Sequence, residues 1–399
     1  MMQAARRWPW AVAALVIGAY GIAVWSTFHT MPAFAPDTRY YAAMTLRLTG
    51  LSQAESYEQV KAFVEQFGYD TPGPGVLFGW GLVAPRIVYP ALSVPFVMAF
   101  GIPGMQVVPV IAMGVGLLVT MLVGRRTAGL AATVAVLFLL IASKRLIFYG
   151  GAMLTESLSF AMVAGIALCL PWDGRRRSRR ALLVALGLLL LVAFTRQATL
   201  IPAGAAVVAW IGSALRERRW RTAWAPFALW LSVVAVVVQV LQSILFPGFS
   251  QLTQFLLATK TDSLSDALAQ VPTLTWTIIT SDIYLMATVD IPLLILIVLA
   301  VIAGIVRWRH VDAHLLIGAV LATFLYNITN GTPTMFRYGF PGLVFVVVAV
   351  AYLLKSAVEQ RLVPVSAVDP VATQHVVHHG VGRHAYRLGN EQIDTQRGQ

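Results

Sequence analysis

The sequence predicts an all-α polytopic membrane protein of about ten transmembrane helices, with interfacial helices in the first outer loop. Three observations predict it. Of the 399 residues, 58% are hydrophobic and only 12% are charged, whereas a soluble domain carries about 25% charged residues. Several charge-free runs reach the roughly 20 residues needed to cross a bilayer core. The arginines cluster in short linkers between those runs, as basic residues do on the cytoplasmic side of membrane proteins. The net charge of +12 therefore reads as an orienting signal and not as a nucleic-acid surface.

The first span is residues 8–28, preceded by Arg6 and Arg7. No small-residue cleavage site follows, so it reads as a retained anchor. Residues 30–104 form a long outer loop. Within it, residues 51–67 carry Glu55, Glu58 and Glu65 and read as an amphipathic surface helix. Thr71-Pro72-Gly73-Pro74-Gly75 excludes regular helix, because proline lacks the N–H donor and glycine loses the most entropy on ordering. Residues 86–100 are apolar but short, and Gly101-Ile102-Pro103-Gly104 follows; the segment reads as a helix lying at the interface.

Nine further spans are expected at residues 105–123, 128–148, 157–170, 181–194, 199–214, 222–245, 285–306, 313–328 and 339–354. A second outer loop, 246–284, carries Lys260, Asp262, Asp266 and Asp282 and a surface helix. The transmembrane domain thus covers residues 1–360. Residues 361–399 are polar and aperiodic and read as a disordered cytoplasmic tail. The tail's His375, His378, His379 and His384 read as incidental to it, although such a tract can bind metal. The lone Cys169 excludes an internal disulfide and a Cys-rich metal site, and reads as a packing residue.

Charge bias tests this arrangement. The segments assigned to the cytoplasm hold 20 Lys/Arg and 7 Asp/Glu, and the outer segments hold 9 and 10. If residues 86–100 crossed as well, every later arginine cluster would change side and the bias would vanish. The expected location is the cell (cytoplasmic) membrane, with both termini in the cytoplasm.

One face then collects an unusual set of residues. No charge occurs between Arg7 and Asp37, so Asp37 is the first acid and sits where the chain leaves the bilayer. Arg39 follows it, and Arg86 opens the interfacial helix. Lys144 and Arg145 stand near the outer end of the third span, with Tyr149 and Glu156 in the turn beyond. Arg196 lies in a tight outer turn, Thr195-Arg196-Gln197, and Arg337-Tyr338 precedes the last span. Ionisable groups at membrane level point to a functional site by default. Each also has a plain structural alternative: Asp37 and Glu156 as helix N-caps, Arg86 and Arg337 as side chains snorkelling to headgroups.

These motifs, in this order, resemble the polytopic GT-C glycosyltransferases, including the ArnT and protein mannosyltransferase branch and the RgtA/B/C/D-like proteins. The resemblance spans about residues 8–355. It rests on Pro36-Asp37-Thr38-Arg39-Tyr40-Tyr41, an Arg-x-x-Tyr-Pro-x-Leu segment at 86–92, the Tyr-Gly…Thr-Glu turn at 149–156, Thr195-Arg196-Gln197, and Arg337-Tyr338.

The resemblance implies a GT-C-like fold and an inverting sugar transfer outside the membrane, from a polyprenyl-phosphate donor to a glycan, lipid or protein acceptor. Asp37 would be the general base. Glu156 would hold the acceptor or orient a cation. Arg337, then Arg196, Lys144 and Arg145, would stabilise the departing phosphate. Arg39, Tyr40, Arg86, Tyr89, Tyr149 and Tyr338 would shape the substrate groove. No cofactor is required, and no ligand cluster demands a divalent metal.

The chain departs from many members in being shorter and in lacking a large soluble acceptor domain. Two other classes fit the same composition: a multi-span transporter or lipid flippase, and a GT-C-like envelope-assembly protein without activity. A transporter often shows internal repeats, and none is evident here.

Overall fold

A computed structural model describes residues 2–248 and 250–362. The tail expected beyond that, with its four histidines, lies outside the described residues. The described chain is helical throughout, with no strand among the described residues. Its helices in order are α1 (Met2–Thr30), α2 (Thr38–Leu48), α3 (Gln53–Glu65), α4 (Pro74–Gly79), α5 (Val88–Phe100), α6 (Val107–Thr127), α7 (Leu130–Ala142), α8 (Lys144–Gly151) and α9 (Glu156–Cys169). They continue as α10 (Arg179–Ala193), α11 (Leu200–Glu217), α12 (Ala225–Leu245), α13 (Gln251–Thr259), α14 (Leu264–Val289), α15 (Ile291–Val306), α16 (Val311–Asn330) and α17 (Leu343–Leu362). Two 3₁₀ turns, Ile102–Gln106 and Arg337–Gly342, lead into α6 and α17.

This is a polytopic helical membrane protein. Among the described residues, six helices are long and apolar enough to cross a bilayer: α1, α6, α11, α12, α16 and α17. A seventh crossing exists if the pair α7 and α8, bent by 81° at Ser143, counts as one span. The expected ten is therefore not reached on length. Helices α9, α10 and α15 have 14, 15 and 16 residues. At 1.5 Å per residue they rise only about 21–24 Å, against a hydrocarbon core of about 30 Å.

Two expected spans are broken, and one residue accounts for both breaks. The run at 285–306 divides at Asp290, where α14 ends and α15 begins. Asp290 Oδ1 accepts from the Leu293 N–H at 3.1 Å, capping α15. Its Oδ2 accepts from Ser143 Oγ and from the Arg145 N–H, each at 2.8 Å. One carboxylate thus satisfies the orphan donors of two helix starts, and the run at 128–148 bends there.

In the first loop, Pro74 and Gly75 open the short helix α4 instead of excluding helix, because proline is tolerated in a helix's first turn, and α3 opens on a reciprocal cap. Ser52 Oγ accepts from the Glu55 N–H at 3.2 Å, and the Glu55 carboxylate accepts from the Ser52 N–H at 2.8 Å, the pattern of a capping box. The segment expected at the interface is a 13-residue helix, α5, that begins at Val88 and contains Pro95. It is anchored where Tyr89 Oη donates to the Met105 carbonyl at 3.1 Å.

At the centre, residues 343–351 of α17 are all buried. No charge occurs between Arg337 and Lys355, and a helix apolar on every side belongs inside the bundle. Helices α11 and α16 approach so closely that a Cβ on Gly318 would lie 2.2 Å from the Gly204 carbonyl oxygen. Small residues allow this approach. It matters for the site, because α11 follows Arg196 and α16 leads into the loop that carries Arg337.

Candidate active site

Backbone contacts first bring the segments together. Past α1, the Ala33 carbonyl accepts from the Met153 N–H at 3.0 Å, and Thr38 Oγ1 donates to the Met153 carbonyl at 3.2 Å. The loop holding Asp37 is thereby fastened to the turn that ends in Glu156. The Val88 N–H donates to the Phe194 carbonyl at 3.1 Å, and Gln242 Nε2 donates to the Ala193 carbonyl at 2.8 Å. These bonds fix α5 and α12 against the turn that carries Arg196.

Arg337 stands where these segments meet. Its Nη2 donates to Asp37 Oδ2 at 2.6 Å, and its Nε donates to Glu156 Oε1. The same Glu156 oxygen lies 2.8 Å from Arg196 Nη1. The two acids differ in exposure: the Glu156 side chain is fully buried and that of Asp37 is 22% exposed. Arg86 closes the group, donating from Nη1 to Tyr41 Oη at 2.8 Å and from Nη2 to Gln197 Oε1 at 3.2 Å. The Arg86 Nε–H is buried with no hydrogen-bond partner among the described residues. Tyrosine rings flank the cations, Tyr338 at 5.2 Å from the Arg196 guanidinium and Tyr149 at 5.9 Å from that of Arg337.

Burial pushes the Asp37 carboxyl up. Arg337, Arg86 and Arg196 pull it down by more in sum, so it sits below the ordinary carboxylate range. Asp37 is thus a carboxylate at neutral pH.

The loop before Arg337 is held in an unfavourable backbone. Met335 and Phe336 have φ of 47° and 66°, a region that non-glycine residues rarely adopt. Asp282 Oδ1 accepts from the Met335 N–H at 2.8 Å, and Tyr149 Oη donates to the Thr334 carbonyl at 3.1 Å. Such conformations cluster at sites whose surroundings over-determine them.

The N-cap alternatives are corrected here. Asp37 occupies the N-cap position of α2 with φ −71° and ψ −22°, but its side chain makes no capping bond. Glu156 lies inside the first turn of α9, after the N-cap Thr155, and its carboxylate serves the two arginines. Nor do Arg86 and Arg337 snorkel: both are held by side-chain bonds inside the protein.

Of the expected residues, Asp37, Glu156, Arg196, Arg337, Arg86, Tyr149 and Tyr338 come together. Lys144 does not join them, and Arg145 reaches them only through its charge on Tyr149. Lys144 is exposed at the start of the bent helix α8, and neither side chain pairs with a carboxylate among the described residues. Arg39 turns away, donating to the Asp70 carbonyl at 2.9 Å. Tyr40 packs against Trp80 with ring centroids 4.3 Å apart. Tyr89 is fully buried and packs against Tyr41, so it supports the site from behind. Tyr41, Gln197 and Asp282 take positions that their sequence context did not single out. Tyr41 and Gln197 lie inside motifs carrying Asp37 and Arg196, and Asp282 carries no local signal for the loop it holds.

Fold and site together define a helical membrane protein with a cluster of two carboxylates and three guanidiniums at the exit of its first helix. Comparisons with protein-family models, with curated proteins and with solved structures return no match.

Proposed function

We propose that this chain is an integral membrane glycosyltransferase of GT-C-like fold. It moves a sugar, with inversion, from a polyprenyl-phosphate donor to a cell-envelope acceptor on the outer side of the membrane. The carrying observation is Arg337, shared between the fully buried Glu156 and the partly exposed Asp37. On this reading the short helices α9, α10 and α15 complete a ten-span bundle.

Each residue has a role in the proposed step. The acceptor hydroxyl loses its proton to the Asp37 carboxylate, and its oxygen attacks the sugar's anomeric carbon. The bond from that carbon to the donor phosphate breaks, and the phosphate leaves with the electron pair. Fixed cations stabilise the charge that grows there. A guanidinium suits phosphate through paired N–H groups, and the unpartnered Arg86 Nε–H supports an anion at this place. Glu156 is enclosed by Arg196 and Arg337 and fits a positioning role, which leaves Asp37 as the base. Asp37 is paired with Arg337 at rest, so a phosphate that engages Arg337 frees the carboxylate for the acceptor.

A second reading, a transporter or flippase, is favoured by the 81° break between α7 and α8, since broken helices are common in transporters. One assay separates the two. The purified protein in lipid nanodiscs is given radiolabelled polyprenyl-phosphoryl sugar and an envelope extract. Label transferred to an envelope product supports the enzyme; label that stays on the donor lipid rejects it.

A further inference from the structure

At the end of the bundle away from Asp37, α9 ends and α10 begins across a loop with arginines at 175, 176, 177, 179 and 180. We propose that the recess between this loop and the start of α12 binds an anionic phospholipid. The recess has a volume of about 440 Å³; Arg176, Arg179 and Arg221 line it, over a floor that includes Leu182, Pro226 and Phe227.

Charge supports the assignment. Asp173 is the only acid between residues 171 and 180, and it lies 3.8 Å from Arg177. Arg177 is otherwise directed to the Leu170 carbonyl, to which its Nε donates at 3.2 Å. Glu217 is taken by Arg219 at 2.8 Å. Arg176, Arg179 and Arg221 form no ion pair among the described residues. The topology signal explains the sign of these charges, but not a recess in which they surround apolar side chains.

The ligand's chemistry follows from that combination. A soluble phosphate would satisfy the arginines and leave the part-exposed Leu182 and the exposed Pro226 uncovered. A zwitterionic lipid would set its own cation among unpaired guanidiniums. A phosphodiester headgroup with net negative charge and attached acyl chains matches both halves, and basic pockets between helices bind such headgroups.

The test is native mass spectrometry of the purified full chain with phosphatidylglycerol and phosphatidylcholine of matched chain length. Each basic residue near an anionic surface contributes about five-fold in affinity. The wild type should therefore retain phosphatidylglycerol at least about ten-fold better than phosphatidylcholine. Arg176→Gln/Arg179→Gln/Arg221→Gln should bring the two lipids to parity. Because removing three arginines can disturb helix orientation, Arg221→Gln alone, which leaves the five-arginine loop intact, should weaken retention about five-fold. Equal binding of both lipids by the wild type overturns the proposal, as does a preference unchanged in Arg221→Gln. Displacement of the lipid by equimolar glycerol 3-phosphate also overturns it, because the site would then be one for a soluble anion.

Discussion

Arg337 and Asp37 are 300 positions apart in the chain and meet with Nη2 2.6 Å from Oδ2. The pair joins the first turn after α1 to the 3₁₀ turn before α17. Glu156 grips the other edge of the same guanidinium. Among the described residues the arginine is therefore the one group hydrogen-bonded to both carboxylates, and its removal exposes what each of them contributes.

Arg337→Ala should leave Glu156 with Arg196 and leave Asp37 with no direct ion pair among the described residues, only the charges of Arg86 and Arg196 nearby. Breaking a buried ion pair by removing one partner costs about 3–5 kcal/mol. The Arg337 side chain retains 18% exposure, so the loss should fall toward the lower end of that range. Arg337→Lys keeps the charge but not the fork that reaches two carboxylates at once. It should fold better than the alanine variant and still bind polyprenyl phosphate more weakly than wild type. Thermal unfolding and lipid-phosphate binding, measured on both variants, check this.

Glu156→Gln should destabilise more than Asp37→Asn. The glutamate is fully buried between two guanidiniums, and an amide leaves Arg196 without a counter-charge and Arg337 with Asp37 alone. Asp37 is partly exposed, and after its loss Arg337 keeps Glu156. A melting-temperature comparison in the same detergent decides it: equal shifts, or a larger one for Asp37→Asn, contradict the assignment of Glu156 as the internal clamp.

The pH dependence has a defined sign. The Asp37 carboxyl is held below its ordinary value in the folded protein, so its pairing stabilises the fold above the unfolded value of about 3.9. That contribution disappears as pH falls through the lower folded value. On the proposed activity, kcat/KM of the free protein should show no acid limb from Asp37 above about pH 4. Once donor phosphate engages Arg337, the carboxyl loses its main partner, and the acid limb of kcat should stand at higher pH than that of kcat/KM. Pre-steady-state profiles at low and saturating donor measure both.

Much of this cluster was legible in the sequence, for a physical reason. In a chain with only 12% charged residues, an ionisable group at membrane level must find a partner, and Asp37, Glu156, Arg196 and Arg337 were the groups available. Their pairing was not legible, because no local pattern links positions 181 or 300 residues apart. The expected span at 128–148 shows the same limit. Its apolar run is interrupted at Ser143-Lys144-Arg145, but the partner at the bend has no local signal: Asp290 accepts a hydrogen bond from Ser143, 147 residues away. Lys144 is exposed at the start of the bent helix. Tyr89 and Tyr40 were legible as aromatic neighbours of the site, but burial against Tyr41 and Trp80 makes them supports. Short helices such as the 14-residue α9 blur the span count, since hydropathy fixes a run's character better than its length.

Asp282 should matter through the loop it holds. Met335 and Phe336 keep positive φ beside the bond from the Met335 N–H to Asp282 Oδ1. Asp282→Ala leaves that buried donor unsatisfied, at about 1–3 kcal/mol, and frees the loop to carry Arg337 off its carboxylates. Asp282→Asn keeps an acceptor oxygen in place and should be much milder. Hydrogen exchange at the Met335 amide should rise in the alanine variant and stay protected in the asparagine variant.

The central claim is that Asp37 takes the proton of the acceptor hydroxyl. Asp37→Asn keeps the side chain's size and its acceptor oxygen toward Arg337, but it cannot take up a proton. The direct measurement is single-turnover transfer of radiolabelled sugar from polyprenyl phosphate to acceptor, with wild type and Asp37→Asn at equal donor occupancy. General-base catalysis contributes about 10²–10⁴-fold, so the Asn variant should lose that much rate while its melting temperature stays close to wild type. A folded, donor-loaded Asp37→Asn protein that transfers sugar at the wild-type rate would contradict the account.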